Sequence, residues 1–335
     1  MNNYFDLSVE EQRQVLKAAE GRIGLPAYTI EKDLWVTTIL QIVFTLPFAD
    51  KLLFKGGTSL SKVGKLINRF SEDIDLAIDP TYFGVTGDLT KKQLKAFRKE
   101  SSLFVCNDFY TELVKAIEKY GLDSLCTVTP EEEGEGDNTY PEPRKIWITY
   151  SRVIPGELSY LGPDVELEIG ARSLFEPYEV NKVRSFVEEN FSNIQTTLVD
   201  SDIMTAAAEK TFLEKAFLLH EIFSVVGGGV NASRKSRHLY DLYMMMDKDF
   251  AIAVIQNDDL WNNIQHHRKV FTSVKDVDYT YDIRKNIQLV PHKDIFSIWE
   301  SDYAAMFENM IYGPNKPTFN DIIEKIKVLQ DRFRR

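Results

Sequence analysis

Residues 55–79 read KGGTSLSKVGKLINRFSEDIDLAID, and the way they fold decides how the first half of the chain is built. Upstream, KLLFKGG (51–57) has the apolar run of a short buried strand that closes on a glycine turn. TSLSKVGKLI then recovers helical spacing through Leu60, Val63, Leu66 and Ile67. DIDLAID (73–79) alternates charged and apolar side chains, the period of a strand with one wet face. The predicted order is strand, glycine turn, helix, strand.

On that last strand Asp73 and Asp75 point the same way, because positions i and i+2 share a face. Such a pair is often a solvated strand edge, and Gly-Gly is often a plain turn. Held side by side, however, two carboxylates repel by about 4 kcal/mol at 4 Å in an effective dielectric of 20, and the arrangement wants a cation. Magnesium takes hard oxygen ligands, commonly one or two carboxylates with substrate phosphates. Backbone at Gly56 and Gly57 lacks a Cβ and can approach a triphosphate closely. The helix that follows offers free N–H groups, with the hydroxyls of Thr58 and Ser59 beside them. VELEIG (165–170) puts Glu166 and Glu168 on one face of another strand, either as surface or as the source of a third carboxylate. Two other motifs fail. A phosphate loop around Gly64–Lys65 would need glycine where Ser59 stands and a hydroxyl where Leu66 stands, and a calcium loop starting at Asp73 would need glycine at Ile78.

The rest of the chain sets bounds. It has 335 residues, 44% of them hydrophobic, enough to bury a core and to exclude disorder. No apolar run is long enough to span a membrane, and MNNYFDLSVEEQRQ lacks the build of a signal peptide. Cys106 and Cys126 form neither a metal pattern nor a disulfide framework, which points to a reduced, cytoplasmic setting. The five histidines contain no HExxH pattern, so no zinc is expected, and His220 reads as a satisfied helix histidine. The net charge of −11 argues against a protein that coats nucleic acid. The excess is uneven: residues 201–335 carry 18 basic against 19 acidic side chains, and EEEGEGDNTYPE (131–142) has six acids and no base. A local basic surface therefore remains open, with SRKSRH (233–238) supplying Arg234, Lys235 and Arg237 as RNA contacts or as a solvated helix start.

Ser8 with Glu11 predicts a capping box and a helix to about Glu20, and a second helical pattern runs from Thr29 to Leu46. Helices are expected at 90–100 and 107–120, strands at 145–153 and 164–170, and long helices at 202–226, 236–247, 294–311 and 318–333. The fold class is α+β: a mixed sheet with flanking helices over residues 1–200, then a helical domain over 201–335.

The segments EKDLWV (31–36), FKGGTSLSK (54–62), RFSEDIDL (69–76), ELEIGARS (166–173), TFLEKAFLLHE (211–221) and SRHLYDLYMM (236–245) together resemble the AbiEii/AbiGii toxin family. That family lies within the DNA-polymerase-β-like nucleotidyltransferases and belongs to type IV toxin–antitoxin and abortive-infection (phage-defence) systems. The resemblance implies a polymerase-β-like fold in which Gly57 and Ser59 hold the triphosphate. Asp73 and Asp75 bind magnesium, or manganese in its place, with Glu168 as third carboxylate and Glu166 as fallback. Lys215 reaches the phosphates, and Asp241 completes the far wall of the site. Asp241 also lies four residues after Arg237, so an ordinary helix ion pair would account for it. Arg69 reads equally as a neighbour of the metal, a phosphate contact or a structural residue.

The implied reaction is attack of an acceptor oxygen on the α-phosphorus of a nucleoside triphosphate with loss of pyrophosphate, most naturally on RNA and above all tRNA, with a cognate antitoxin as partner. Transfer to a protein acceptor, an inactive nucleotide-binding module and a metal-free acid–base dyad are the alternatives.

Overall fold

The computed structural model describes residues 2–134, 139–155, 162–225, 232–313 and 316–335. Part of the acidic loop (135–138) and residue 226, the last of an expected helix, lie outside the described residues. Ser8 opens the first helix with the reciprocal capping box that its sequence predicts, and α1 (Val9–Ile23) ends on Gly24 in the left-handed conformation. In α2 (Ala27–Val43) every residue except Tyr28 is buried, and the helix stops before the expected Leu46.

Two compact units divide the chain: residues 1–63 with 70–206, and residues 64–69 with 207–335. Besides α1 and α2, the first contains β1 (Asn2–Asn3), β2 (Leu52–Lys55), α3 (Gly56–Lys62), β3 (Ile74–Ile78), α4 (Lys91–Phe104), α5 (Tyr110–Lys119), β4 (Cys126–Pro130), β5 (Arg144–Tyr150), β6 (Val165–Gly170), β7 (Tyr178–Asn181), α6 (Phe186–Asn190), β8 (Ile194–Gln195) and β9 (Ile203–Ala206). Seven strands form one mixed sheet in the order β4-β5-β6-β3-β2-β9-β7, while β1 pairs with β8. β3 runs parallel to β6 and antiparallel to β2. Ile74, Leu76, Ile146, Ile148, Val165, Leu167 and Ile169 are buried on one face of this sheet, and α2 packs against β6 and α5. Alternation along each strand turns the charged residues of the same segments to the opposite face.

The second unit consists of α7 (Ala208–Ser224), α8 (Ser236–Met245), α9 (Asp249–Val254), α10 (Asp258–Phe271), α11 (Phe296–Asn309) and α12 (Phe319–Arg334). Its core is aromatic: Phe217 lies on Trp261 with ring centroids 4.3 Å apart, and Phe223 on Trp299 at 4.7 Å. Residues 64–69 belong to it through the main chain. Tyr312 N donates to Asn68 O at 3.0 Å, and Arg69 forms an antiparallel bridge with Ile311. No helix among the described residues is long and apolar enough to cross a membrane.

The α+β class is as expected, but several elements differ. α3 begins on the glycines rather than after them, and it ends at Lys62 instead of continuing through Ile67. Lys65 adopts φ 47°, a left-handed conformation that stops a helix, and Ile67 is buried in the second unit. The expected helix from 202 is preceded by β9, whose β-branched Ile203 and Thr205 suit a strand that pairs with both β2 and β7. α4 and α5 are joined by a π-helical turn at Val105–Phe109, so two expected helices form one continuous rod.

Candidate active site

The glycine turn and the carboxylates meet in the first unit. Gly56 has φ +78°, and a Cβ placed on it would lie 2.0 Å from Oδ2 of Asp75. Only glycine lets the backbone come this close to that carboxylate. Thr58, fully buried, donates its hydroxyl to the main-chain oxygen of Asp73 at 2.5 Å and lies 2.9 Å from the hydroxyl of Ser71. The hydroxyl of Ser59 donates to Gly56 O at 2.9 Å. Both hydroxyls expected to face a nucleotide are thus engaged with protein oxygens: that of Thr58 pins the turn to the segment carrying Asp73, and that of Ser59 closes on the turn itself.

Across the sheet one row of residues is in register: Lys55 on β2 opposite Asp75 on β3, Asp75 opposite Glu168 on β6, and Glu168 opposite Lys145 on β5. Two carboxylates therefore sit side by side, flanked by one lysine at each end. Burial, and then the charge of Asp75, push the carboxyl of Glu168 above its usual range, with Lys145 and Lys55 opposing. Asp73 precedes β3 by one residue and contributes to the field around Lys145. Glu166 is engaged elsewhere: it stands opposite Trp147, accepts the indole N–H at 2.9 Å and pairs with the Lys145 ammonium at 2.5 Å. Of the two glutamates, Glu168 is the one set beside an aspartate.

Among the described residues no three His, Cys, Asp or Glu side chains close into a metal-ligand cluster, so Asp73, Asp75 and Glu168 are gathered in one region without being assembled around one point. The donor chemistry still fits a hard divalent cation. All three groups are carboxylates, and Asp75 and Glu168 are adjacent like charges that a cation would relieve.

The brace behind this arrangement has no assigned role in the sequence, though three successive charges in an otherwise apolar helix, Glu31, Lys32 and Asp33, signal it. All three are buried. Lys32 pairs with buried Glu72, next to Asp73, and donates to Gly162 O at 2.7 Å. Asp33 pairs with Lys62 at the end of α3 and accepts from Phe186 N at 2.7 Å. Glu31 accepts from Val153 N at 2.6 Å and Ile154 N at 3.2 Å.

The other predicted residues lie in the helical unit. Asp241 is fully buried; Arg69 clasps it with two hydrogen bonds of 2.7 and 2.8 Å, and Lys215 pairs with it at 2.9 Å. Its bidentate partner is thus Arg69, 172 residues away in the chain. Burial alone would raise the Asp241 carboxyl, but Arg69 and Lys215 outweigh it and hold the group below the usual carboxylate range. Burial lowers the pKa of Lys215, with Asp241 opposing, and its ammonium lies 3.4 Å from Nδ1 of His238. Arg234, Lys235 and Arg237 are partly exposed. Asp302 anchors their segment, which leads into α8, by accepting from Arg234 N at 2.6 Å and Ser236 N at 2.9 Å.

MenT4, a nucleotidyltransferase toxin from Mycobacterium tuberculosis H37Rv, aligns with a TM-score of 0.44 at 13% identity, covering 98% of this chain and 98% of its own. JHP933 from Helicobacter pylori aligns with a TM-score of 0.36 at 13% identity, covering 92% of this chain and 97% of its own. No curated protein sequence matches. The sequence profile described as nucleotidyl transferase AbiEii toxin, type IV toxin–antitoxin system, matches residues 38–325. That span takes in the glycine turn, all three carboxylates, Lys215 and Asp241, and the chain belongs to the AbiEii family of nucleotidyltransferase toxins.

Proposed function

We propose that this nucleotidyltransferase moves a nucleotide from a nucleoside triphosphate to an RNA acceptor, tRNA foremost, in a magnesium-dependent reaction that releases pyrophosphate. The observation that carries the proposal is the pairing of Asp75 with Glu168 beside a glycine that nothing larger can replace. Asp73, Asp75 and Glu168 would hold the metal, which when bound supplies Lewis-acid polarisation of a phosphoryl oxygen. The bare backbone at Gly56 and Gly57 admits the triphosphate beside the carboxylates. Asp75 or Glu168 takes the proton of the attacking acceptor hydroxyl. Lys55 and Lys145, at the two ends of the row, offset the negative charge that the carboxylates and the phosphates bring together. Partial exposure of Arg234, Lys235 and Arg237 supports contact with acceptor phosphates. A cognate antitoxin completes the set of partners.

The test is incubation with each labelled nucleoside triphosphate, total RNA and total protein, with and without chelator. Label in RNA of tRNA size that disappears with chelator and in the Asp73→Ala variant is the expected result. Label in protein alone would move the acceptor to a polypeptide, and no incorporation under any condition would leave a nucleotide-binding module.

A further inference from the structure

The carboxylate face of the sheet does not end at Glu168. Beyond it on β5, Lys145 stands opposite Glu168 and Trp147 opposite Glu166, on the same face. Glu166 fixes both: one carboxylate oxygen takes the Lys145 ammonium and the other the Trp147 indole N–H, so the indole is held by its edge. The Lys145 and Glu166 side chains are 36% and 24% exposed. The other three tryptophans, Trp35, Trp261 and Trp299, are buried, whereas Trp147 is only partly covered. A held, accessible indole beside a lysine matches what a single-stranded nucleic acid needs: a flat surface for a base and a cation for the adjoining phosphate.

The strand order says which substrate this would be. Gly56, the close-approach point, follows β2 on the Asp75 side of the pair, whereas β5 lies on the Glu168 side. A triphosphate seated at the glycines is separated from Trp147 by both carboxylate-bearing strands. We propose that Trp147, oriented by Glu166 and assisted by Lys145, is the stacking platform for an unpaired nucleobase of the acceptor strand. The proposal rests on the nucleotidyl-transfer reading and adds to it that the acceptor presents a single-stranded end.

The experiment is tryptophan fluorescence of the full chain, titrated separately with a short single-stranded oligoribonucleotide, the same sequence as a blunt duplex, and a nucleoside triphosphate with magnesium. The single strand should quench a component that the duplex and the triphosphate leave unchanged. That component should vanish in Trp147→Phe, which keeps an aromatic face and binds the oligonucleotide within about 3-fold of wild type. Trp147→Ala should weaken oligonucleotide binding roughly 5- to 100-fold and raise the acceptor KM with the nucleotide KM unchanged. Quenching by the triphosphate alone would assign the platform to the donor base and overturn the proposal. So would oligonucleotide binding unaffected by Trp147→Ala. Asp73→Ala separates the two levels: if it spares transfer, the carboxylate reading itself falls, whereas if it abolishes transfer and Trp147→Ala changes nothing, only the platform falls.

Discussion

Gly56 and Asp75 are in such close approach that a single added methyl group would overlap the carboxylate, since an ideal Cβ on Gly56 falls 2.0 Å from Oδ2. Gly56→Ala must therefore push Asp75 aside while also accepting a left-handed backbone that costs an alanine about 1–2 kcal/mol. Transfer should fall on the order of 10²-fold, the usual consequence of displacing a reacting group by about 1 Å. Gly21, with nothing within 4 Å of its would-be Cβ, is the control: Gly21→Ala should leave kcat unchanged and raise Tm slightly.

Asp73→Ala and Asp75→Ala should each lower turnover on the order of 10²–10⁴-fold, since a metal ion contributes several kcal/mol to the transition state. Circular dichroism should show an intact fold. Calorimetric titration with manganese should show weakened binding in both variants, and wild-type turnover in Asp75→Ala would remove that residue from the ligand set.

In the helical unit the expected order of damage is set by what each truncation leaves behind. Asp241→Ala strands two buried cations, Arg69 and Lys215, and should cost about 3–5 kcal/mol in urea unfolding. Lys215→Ala leaves Asp241 still clasped by Arg69, so its stability loss should be smaller; the phosphate-binding role that the family resemblance implies for Lys215 predicts that transfer is lost nonetheless. Transfer retained by a folded Lys215→Ala variant would mean that Lys215 serves the fold alone.

His220 predicts an acid-sensitive fold. Its Nδ1 accepts the main-chain N–H of Gln288 at 3.1 Å, which requires that nitrogen to be unprotonated, and burial lowers the group from 6.5 to about 4. A depressed histidine pKa means that the unfolded chain binds the proton more readily. The contribution of His220 should therefore be constant above about pH 6.5 and fall away as the pH drops toward about 4, by on the order of 3 kcal/mol. Tm measured across that window should show the slope, and His220→Asn should remove its own share of it, the rest staying with His267 and His238, whose pKa values burial also lowers.

Neutralising Arg234 and Lys235 together, as Arg234→Gln and Lys235→Gln, should weaken RNA binding evenly across sequences and flatten its salt dependence. The Asp302 anchor holds main-chain N–H groups, so the turn survives the change. An unchanged salt slope in filter binding would return these side chains to ordinary surface.

How much of this was legible depended on distance along the chain. The DIDLAID alternation announced β3, and the Ser8 capping box announced α1, because both signals are local. Strand alternation alone does not separate Glu166 from Glu168, since residues two apart share a face; register across β5, β6 and β3 does, setting one against Trp147 and the other against Asp75. Arg69 stayed ambiguous because its partner Asp241 is remote in sequence. β9 was hidden by the alanines that follow it, which extend a helical pattern backwards over IMTA, while pairing with β2 and β7 overrides that propensity.

The excursion of residues 64–69 has a consequence for how such a protein can be rearranged over time. The helical unit draws six residues from the middle of the first half, including the guanidinium that neutralises Asp241. A single crossover near residue 206 would hand a new host the helices without Arg69 and leave Asp241 with one of its two cations. Exchange of the intact half needs breakpoints on either side of 64–69 as well as near 206. Its two halves should therefore be inherited together, and recombinants that join one to a foreign counterpart should fail first at Asp241.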